Sequence, residues 1–305
     1  MTASQSSAPP GNENATESVR PPKLAIVAGA GPLPVSLAEA ARAEGRDVFI
    51  IGIEGFAGPE IEAYPHAWNR LGAMGAFIRL LKESGCEEMA MVGAVTRPDL
   101  RKLSLDMTAI RLLPKLRGWM KQGDDGLLRG LTDYIREETG VRIVGAHEIA
   151  EGLKAPEGLL TRLGPDENQK SDIAVAIRAV QAIGALDIGQ GAVACRGIVL
   201  ALEAAEGTDA MLDRVAELPE HLRGNETARE GVLVKLPKPG QERRMDLPTI
   251  GVRTVEKAAA AGLAGIVVEG GGALVDNIEA VTATANRLGL FVMGLSPEET
   301  RAAPA

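Results

Sequence analysis

The feature that most constrains the fold is a regular alternation of short apolar runs with amphipathic helical stretches over the first half of the chain. Apolar runs at Leu24–Ala28, Val48–Ile53, Met89–Ala94 and Arg142–Gly145 are separated by helical periodicity at about Leu33–Glu44, Leu71–Glu83 and Asp124–Glu138. Strands joined through helices cannot pair as hairpins, so the alternation predicts a parallel sheet with both faces covered. A stretch rich in Gly, Pro, Lys and Glu follows at 151–165, which is linker chemistry.

Beyond it, a helix is expected at about Glu167–Ile183. Ala192–Ala201, interrupted by Arg196-Gly197, reads as a hairpin or a bulged strand. Further strands are expected at Val232–Leu236, Gly265–Glu269 and Leu290–Gly294, with helices at about Arg253–Ala261 and Asn277–Leu288. The expected organisation is a tail over 1–22, a Rossmann-like parallel α/β domain over 23–152, a second α/β domain over 153–298 and a short tail over 299–305, with the ligand between the domains.

Composition narrows the function. Lys and Arg number 33 against 41 Asp and Glu, a formal charge of −8 that argues against a general nucleic-acid binder. The two cysteines, Cys86 and Cys195, form no CxxC pair, and neither a disulfide framework nor a zinc site is supported. Residues 1–22 lack the apolar stretch of a signal peptide, and the most apolar window, Gly262–Val275, is broken by Glu269 and several glycines, so a cytoplasmic protein is expected. His66, His147 and His221 lack metal-ligand spacing.

Several segments carry candidate chemistry. Gly29-Ala-Gly31-Pro32-Leu-Pro34 follows the first strand, where glycines let backbone N–H groups approach a phosphate; a tight turn starting a helix is the plain alternative. With Glu54 after the second strand, this turn also admits a nicotinamide site and an NAD(P)-dependent oxidoreductase, although Pro34 stands where GxGxxG has its third glycine. Asp124 and Asp125 sit where a helix begins, as caps or as oxygen ligands to a hard cation. The segment 110–121 carries Arg111, Lys115, Arg117 and Lys121 among large apolar residues and no acid; it either packs its apolar face inward or rests with Trp119 on anionic lipid, and Pro114 is expected to shorten any helix.

The most informative stretch runs from Lys235 to Gly251. Within twelve residues it carries four cations, Lys235, Lys238, Arg243 and Arg244, and two carboxylates, Glu242 and Asp246, on a backbone stiffened by prolines. Such cations suit the oxygens of a diphosphate, and Asp246 suits a metal or an attacking water. Two further loops, with Gln190 and Gly191 in one and Glu206, Thr208 and Asp209 in the other, supply acids and amides, one of the latter pair serving as a helix cap. A nucleotide- or lipid-binding protein without catalysis is the alternative on these residues.

Taken together, LAIVAGAGPLPVSLA, GDDGLLR, DIGQGAV, EGTDAM and KLPKPGQERRMDLPTIGV resemble the LpxI-type UDP-2,3-diacylglucosamine pyrophosphatases of bacterial lipid A synthesis, over about Lys23 to Pro297. The resemblance implies a two-domain enzyme that hydrolyses its lipid nucleotide to UMP and 2,3-diacylglucosamine 1-phosphate with Mg²⁺, or Mn²⁺ in its place, by water attack on the uridine-side phosphorus. It further implies a homodimer peripheral to the cytoplasmic face of the inner membrane, and an essential Asp at position 246. On this reading Lys235, Lys238, Arg243 and Arg244 assist catalysis. Gly29, Gly31, Pro32, Gln190, Gly191, Thr208 and Gln241 contact the ligand, and Asp246, Glu206, Asp209, Asp124 and Asp125 are candidate metal ligands.

Overall fold

A computed structural model describes residues 20–95, 103–239 and 247–301, without the side chains of Asp124 and Asp125. The first half runs β1 (Leu24–Ala28), α1 (Leu33–Ala43), β2 (Val48–Ile53), β3 (His66–Asn69), α2 (Met74–Ser84), β4 (Glu88–Val92), α3 (Met107–Met120), α4 (Gly123–Thr139), β5 (Arg142–Ile143) and α5 (Ala146–Ile149). Its five strands are all parallel in the order β3-β2-β1-β4-β5. That is the doubly wound order, with its topological switch between β1 and β4. One apolar cluster packs α1 on the sheet through Leu33, Leu37, Ala38 and Ala41, which share one helix face. A second cluster on the other face joins Phe77 and Leu81 of α2 to Ile51, Met89 and Ile135.

The second half runs β6 (Gly158–Leu159), α6 (Glu167–Ala185), β7 (Gly191–Cys195), β8 (Ile198–Leu202), α7 (Gly207–Ala216), β9 (Val232–Lys235), β10 (Thr249–Ile250), α8 (Val252–Ala260), β11 (Gly265–Glu269), β12 (Leu274–Val275), α9 (Ile278–Leu288), β13 (Phe291–Leu295) and α10 (Pro297–Arg301). Six of these strands form a mixed sheet in the order β6-β13-β11-β9-β7-β8, in which β9, β11 and β13 are parallel. Both halves are α/β, as their apolar patterning predicts. The Ala192–Ala201 segment is a hairpin and also carries a bulge between Val193 and Ala194; Arg196 and Gly197 turn it with φ of 52° and 75°.

Two departures have physical causes. Strand β3 is only four residues, His-Ala-Trp-Asn, too short for a periodic signal, and forms by adding to the edge of β2. Helix α3 runs straight through Pro114 for 14 residues. Pro114 is exposed, as is Ile110, whose carbonyl loses its helical donor there, so the freed acceptor lies at a solvent-facing position where its loss costs least. Trp119 lies inward, over Gly130 of α4, where a methyl group would overlap its ring.

The halves share apolar packing. Leu247 and Leu274 join the cluster of α1, Ile149 and Leu153, and the backbone bridges Lys154 to Leu274. Ser36 of α1 donates to Asp276 Oδ1 at 2.7 Å, a bond between chain segments 240 residues apart.

Candidate functional site

In open α/β sheets ligands bind outside the carboxyl ends of the strands. At that end of the first sheet the turns after β1 and β4 are zipped together. Gly29 N–H donates to the Val92 carbonyl at 2.8 Å, and Ala30 and Ala94 exchange backbone bonds of 2.8 and 2.9 Å. A side chain on Gly29 would strike the Gly93 backbone, and Gly93 itself has a φ of 92°. Gly29 is therefore needed for the approach of the two turns, and its N–H is already bonded. Gly31 and Pro32 are exposed at the start of α1, one turn from the Ser36–Asp276 bond to the second half.

The second sheet contributes Lys235, the last residue of β9. Its side chain shares the face of Leu233, which packs toward α7 and α8. Lys235 is 5% exposed, its Nζ donates to the Thr249 carbonyl at 3.2 Å, and among the described residues it pairs with no carboxylate. A buried ammonium held by one neutral acceptor is costly. Its partner across the strands is Gly191.

Against Gly191 lies the side chain of Glu203, buried at 7% exposure. Its Oε1 accepts a 2.7 Å bond from Thr208 Oγ1, while Oε2 has no partner. Gln190 Oε1 is likewise buried and unbonded. Gly191 makes room for this carboxylate and Gly189 for the Glu203 backbone carbonyl, since a side chain on either would overlap them. Among the described residues Lys235 thus has no carboxylate partner and lies across the strands from Gly191, against which the Glu203 side chain packs; the buried acceptors without partners, Glu203 Oε2 and Gln190 Oε1, leave this region able to receive a polar ligand with its own donors.

Lys238, on the loop after β9, donates to Asp187 Oδ1 at 2.6 Å. Asp187 adopts a φ of 53° and lies against Gly123, the first residue of α4. Gly123 of GDDG, Asp187 of DIGQG and Lys238 after β9 therefore converge, bringing α4's positive end to the second half.

The remaining sequence candidates fall elsewhere. Glu206 is exposed and paired with Arg214; Asp209 is paired with Arg253 at 2.7 Å. Asp124 and Asp125 occupy the first turn of α4. Gln241, Arg243, Arg244 and Asp246 lie outside the described residues, between Pro239 and the buried Leu247. Among the described residues no three acids, histidines or cysteines gather as metal ligands. Three of the five candidate metal ligands, Asp124, Asp125 and Asp246, have side chains outside the described residues. Cys195 is buried, and burial with Asp172 and Glu230 nearby pushes its thiol up to about 11, which disqualifies it as a nucleophile. Glu148 caps α5, its Oε1 accepting from Gly145 N–H at 2.9 Å.

Sequence reasoning passed over Glu203 in favour of Glu206. The available signal was the pair of glycines around Gln190, which leaves space opposite the end of β8.

Comparison with known proteins agrees with this organisation. The family model described as the LpxI N-terminal domain matches residues 23–153, and that of the LpxI C-terminal domain matches residues 156–293. The UDP-2,3-diacylglucosamine pyrophosphatase LpxI of Caulobacter vibrioides is 48% identical over 277 residues, covering 91% of this chain and 99% of that protein. Among solved structures, the precorrin-6A reductase CobK covers 90% of this chain and 88% of its own at 12% identity, with a TM-score of 0.32, too distant to bear on function. With both halves matched in order and nearly half the residues identical to a full-length relative, the chain belongs to the LpxI family.

Proposed function

We propose that this protein hydrolyses the pyrophosphate bond of UDP-2,3-diacylglucosamine, releasing UMP and 2,3-diacylglucosamine 1-phosphate for lipid A synthesis. The reading is supported by the name of the 48% identical relative and by one observation in this chain, the buried Lys235, which among the described residues has no carboxylate partner. A diphosphate supplies the missing counter-charge.

On this proposal Lys235 and Lys238 neutralise phosphate oxygens as charge builds on them, Lys238 exchanging Asp187 for the ligand. Glu203 Oε2 and Gln190 Oε1 accept from sugar or base donors, and Thr208 is held in place through Glu203. The exposed Gly31-Pro32 turn contacts the ligand from the first half. Arg243, Arg244 and Gln241 join from the 240–246 segment, and Asp246 positions the attacking water.

The test is UMP release from UDP-2,3-diacylglucosamine in detergent micelles, with Mg²⁺, with Mn²⁺ and with EDTA. Release by wild type and its loss in Asp246→Ala at unchanged melting temperature support the reading. Tight binding of the substrate with no release under any metal overturns it in favour of a carrier.

A further inference from the structure

We propose that Asp276 is a positioning residue. Through the Ser36 hydroxyl it sets the exposed Gly31-Pro32 turn of the first half against β10 of the second, whose Thr249 carbonyl holds Lys235. This role rests on the hydrolytic reading and deepens it.

Burial makes Asp276 a costly residue to keep. It is 7% exposed, and among the described residues no cation pairs with it. Its carboxylate accepts there from Ser36 alone, whose Oγ donates to Oδ1 at 2.7 Å. A buried carboxylate with a single neutral donor costs more than that hydrogen bond returns. The boundary between the halves does not need it for cohesion, because Leu247 and Leu274 already bury apolar area against the cluster of α1.

Both ends of the bond are held in place. Asp276 follows β12, and its N–H donates to the Ile250 carbonyl of β10 at 2.9 Å, while Leu274 N–H donates to the Pro248 carbonyl at 2.8 Å. Asn277, at a φ of 57°, then caps α9. On the other side Ser36 lies in the first turn of α1, with its N–H 3.1 Å and its Oγ 3.4 Å from the Pro32 carbonyl. The start of the turn is pinned separately, by Gly29 N–H on the Val92 carbonyl. Gly31 and Pro32 lie exposed between these two anchors. A short chain of bonds therefore runs from Lys235 through β10 and Asp276 to the turn, joining the two groups that the hydrolytic reading places on the ligand from opposite halves.

The experiment is steady-state hydrolysis of UDP-2,3-diacylglucosamine in detergent micelles by wild type, Ser36→Ala, Asp276→Ala, their double variant and Asp276→Asn, each well below its melting temperature. Ser36→Ala and Asp276→Ala should each raise KM about fivefold or more with kcat within about twofold, since a ligand contact moves and the reacting groups do not. The double variant should lose no more than the worse single one, because both act through one bond. Asp276→Asn keeps an acceptor oxygen for Ser36, so its KM and kcat should stay within about twofold of wild type, which a carboxylate touching substrate would not allow. Lower stability with unchanged KM in Ser36→Ala marks the bond as structural and overturns the role, and that variant decides the matter if Asp276→Ala does not fold. Additive losses in the double variant, or Asp276→Asn as impaired as Asp276→Ala, overturn it too. A wild type without turnover overturns the hydrolytic reading and this role together, whereas an active wild type with indifferent variants overturns the role alone.

Discussion

At the scale of single residues the account turns on Lys235. A buried ammonium whose one partner among the described residues is a carbonyl is kept against its own stability, so Lys235→Met should raise the unfolding free energy by about 1 kcal/mol while lowering kcat/KM at least a hundredfold. Chemical denaturation and steady-state turnover read the two effects. A destabilised but active variant would show that Lys235 is structural. Cys195 gives a second residue-scale expectation. Its thiol is pushed up to about 11 in the fold against an ordinary value of about 9, so unfolding releases a proton between these values and stability falls as pH rises through that window, by about 3 kcal/mol in all. Cys195→Ala should flatten the fall in pH-dependent denaturation, and an unchanged slope would place the titration elsewhere.

At the scale of elements, much was legible because strands buried on both faces read as continuous apolar runs. Gly265–Glu269 is recovered residue for residue. Strand β3 was not legible because four residues at a sheet edge carry no period, and α3's continuity was missed because proline's cost depends on whether water reaches the freed carbonyl. Glu203 was hidden for a different reason. Burial of a carboxylate depends on the hairpin that folds β8 against β7, which places it over Gly191, whereas its distance from Glu206 in sequence says nothing of either environment. The amino end of the first sheet offers a test of element pairing. Glu88 of β4 bonds both Arg46, before β2, and Arg142 of β5; burial raises its carboxyl pKa, but the two guanidinium groups outweigh this and hold it below the usual range. This stability is present above the ordinary glutamate pKa and is lost as pH falls through the lowered one. Glu88→Ala should cost about 3 kcal/mol in denaturant unfolding, since it leaves Arg46 buried without its partner.

At the scale of the whole molecule, the two halves are joined by shared core and by the Ser36–Asp276 bond. Leu274→Ala should cost about 2 to 4 kcal/mol, because it opens a cavity in the cluster that α1 shares with the second half. Ser36→Ala should cost about 1 kcal/mol and leave buried Asp276 short of a donor. If the halves act as one body, both variants shift a single unfolding transition; two separated transitions in calorimetry would contradict that. Gly123, Asp187 and Lys238, which come together here, lie on distant stretches of sequence; the order of the motifs identified the family while leaving such distances to the fold.

The most direct measurement of the central claim is hydrolysis of UDP-2,3-diacylglucosamine in ¹⁸O water, with wild type and Asp246→Ala, followed by mass analysis of both products. The account predicts ¹⁸O in UMP, none in the diacylglucosamine 1-phosphate, and loss of both products in the variant. Label in the lipid phosphate would contradict the uridine-side attack, and wild-type turnover by Asp246→Ala would contradict the part given to Asp246.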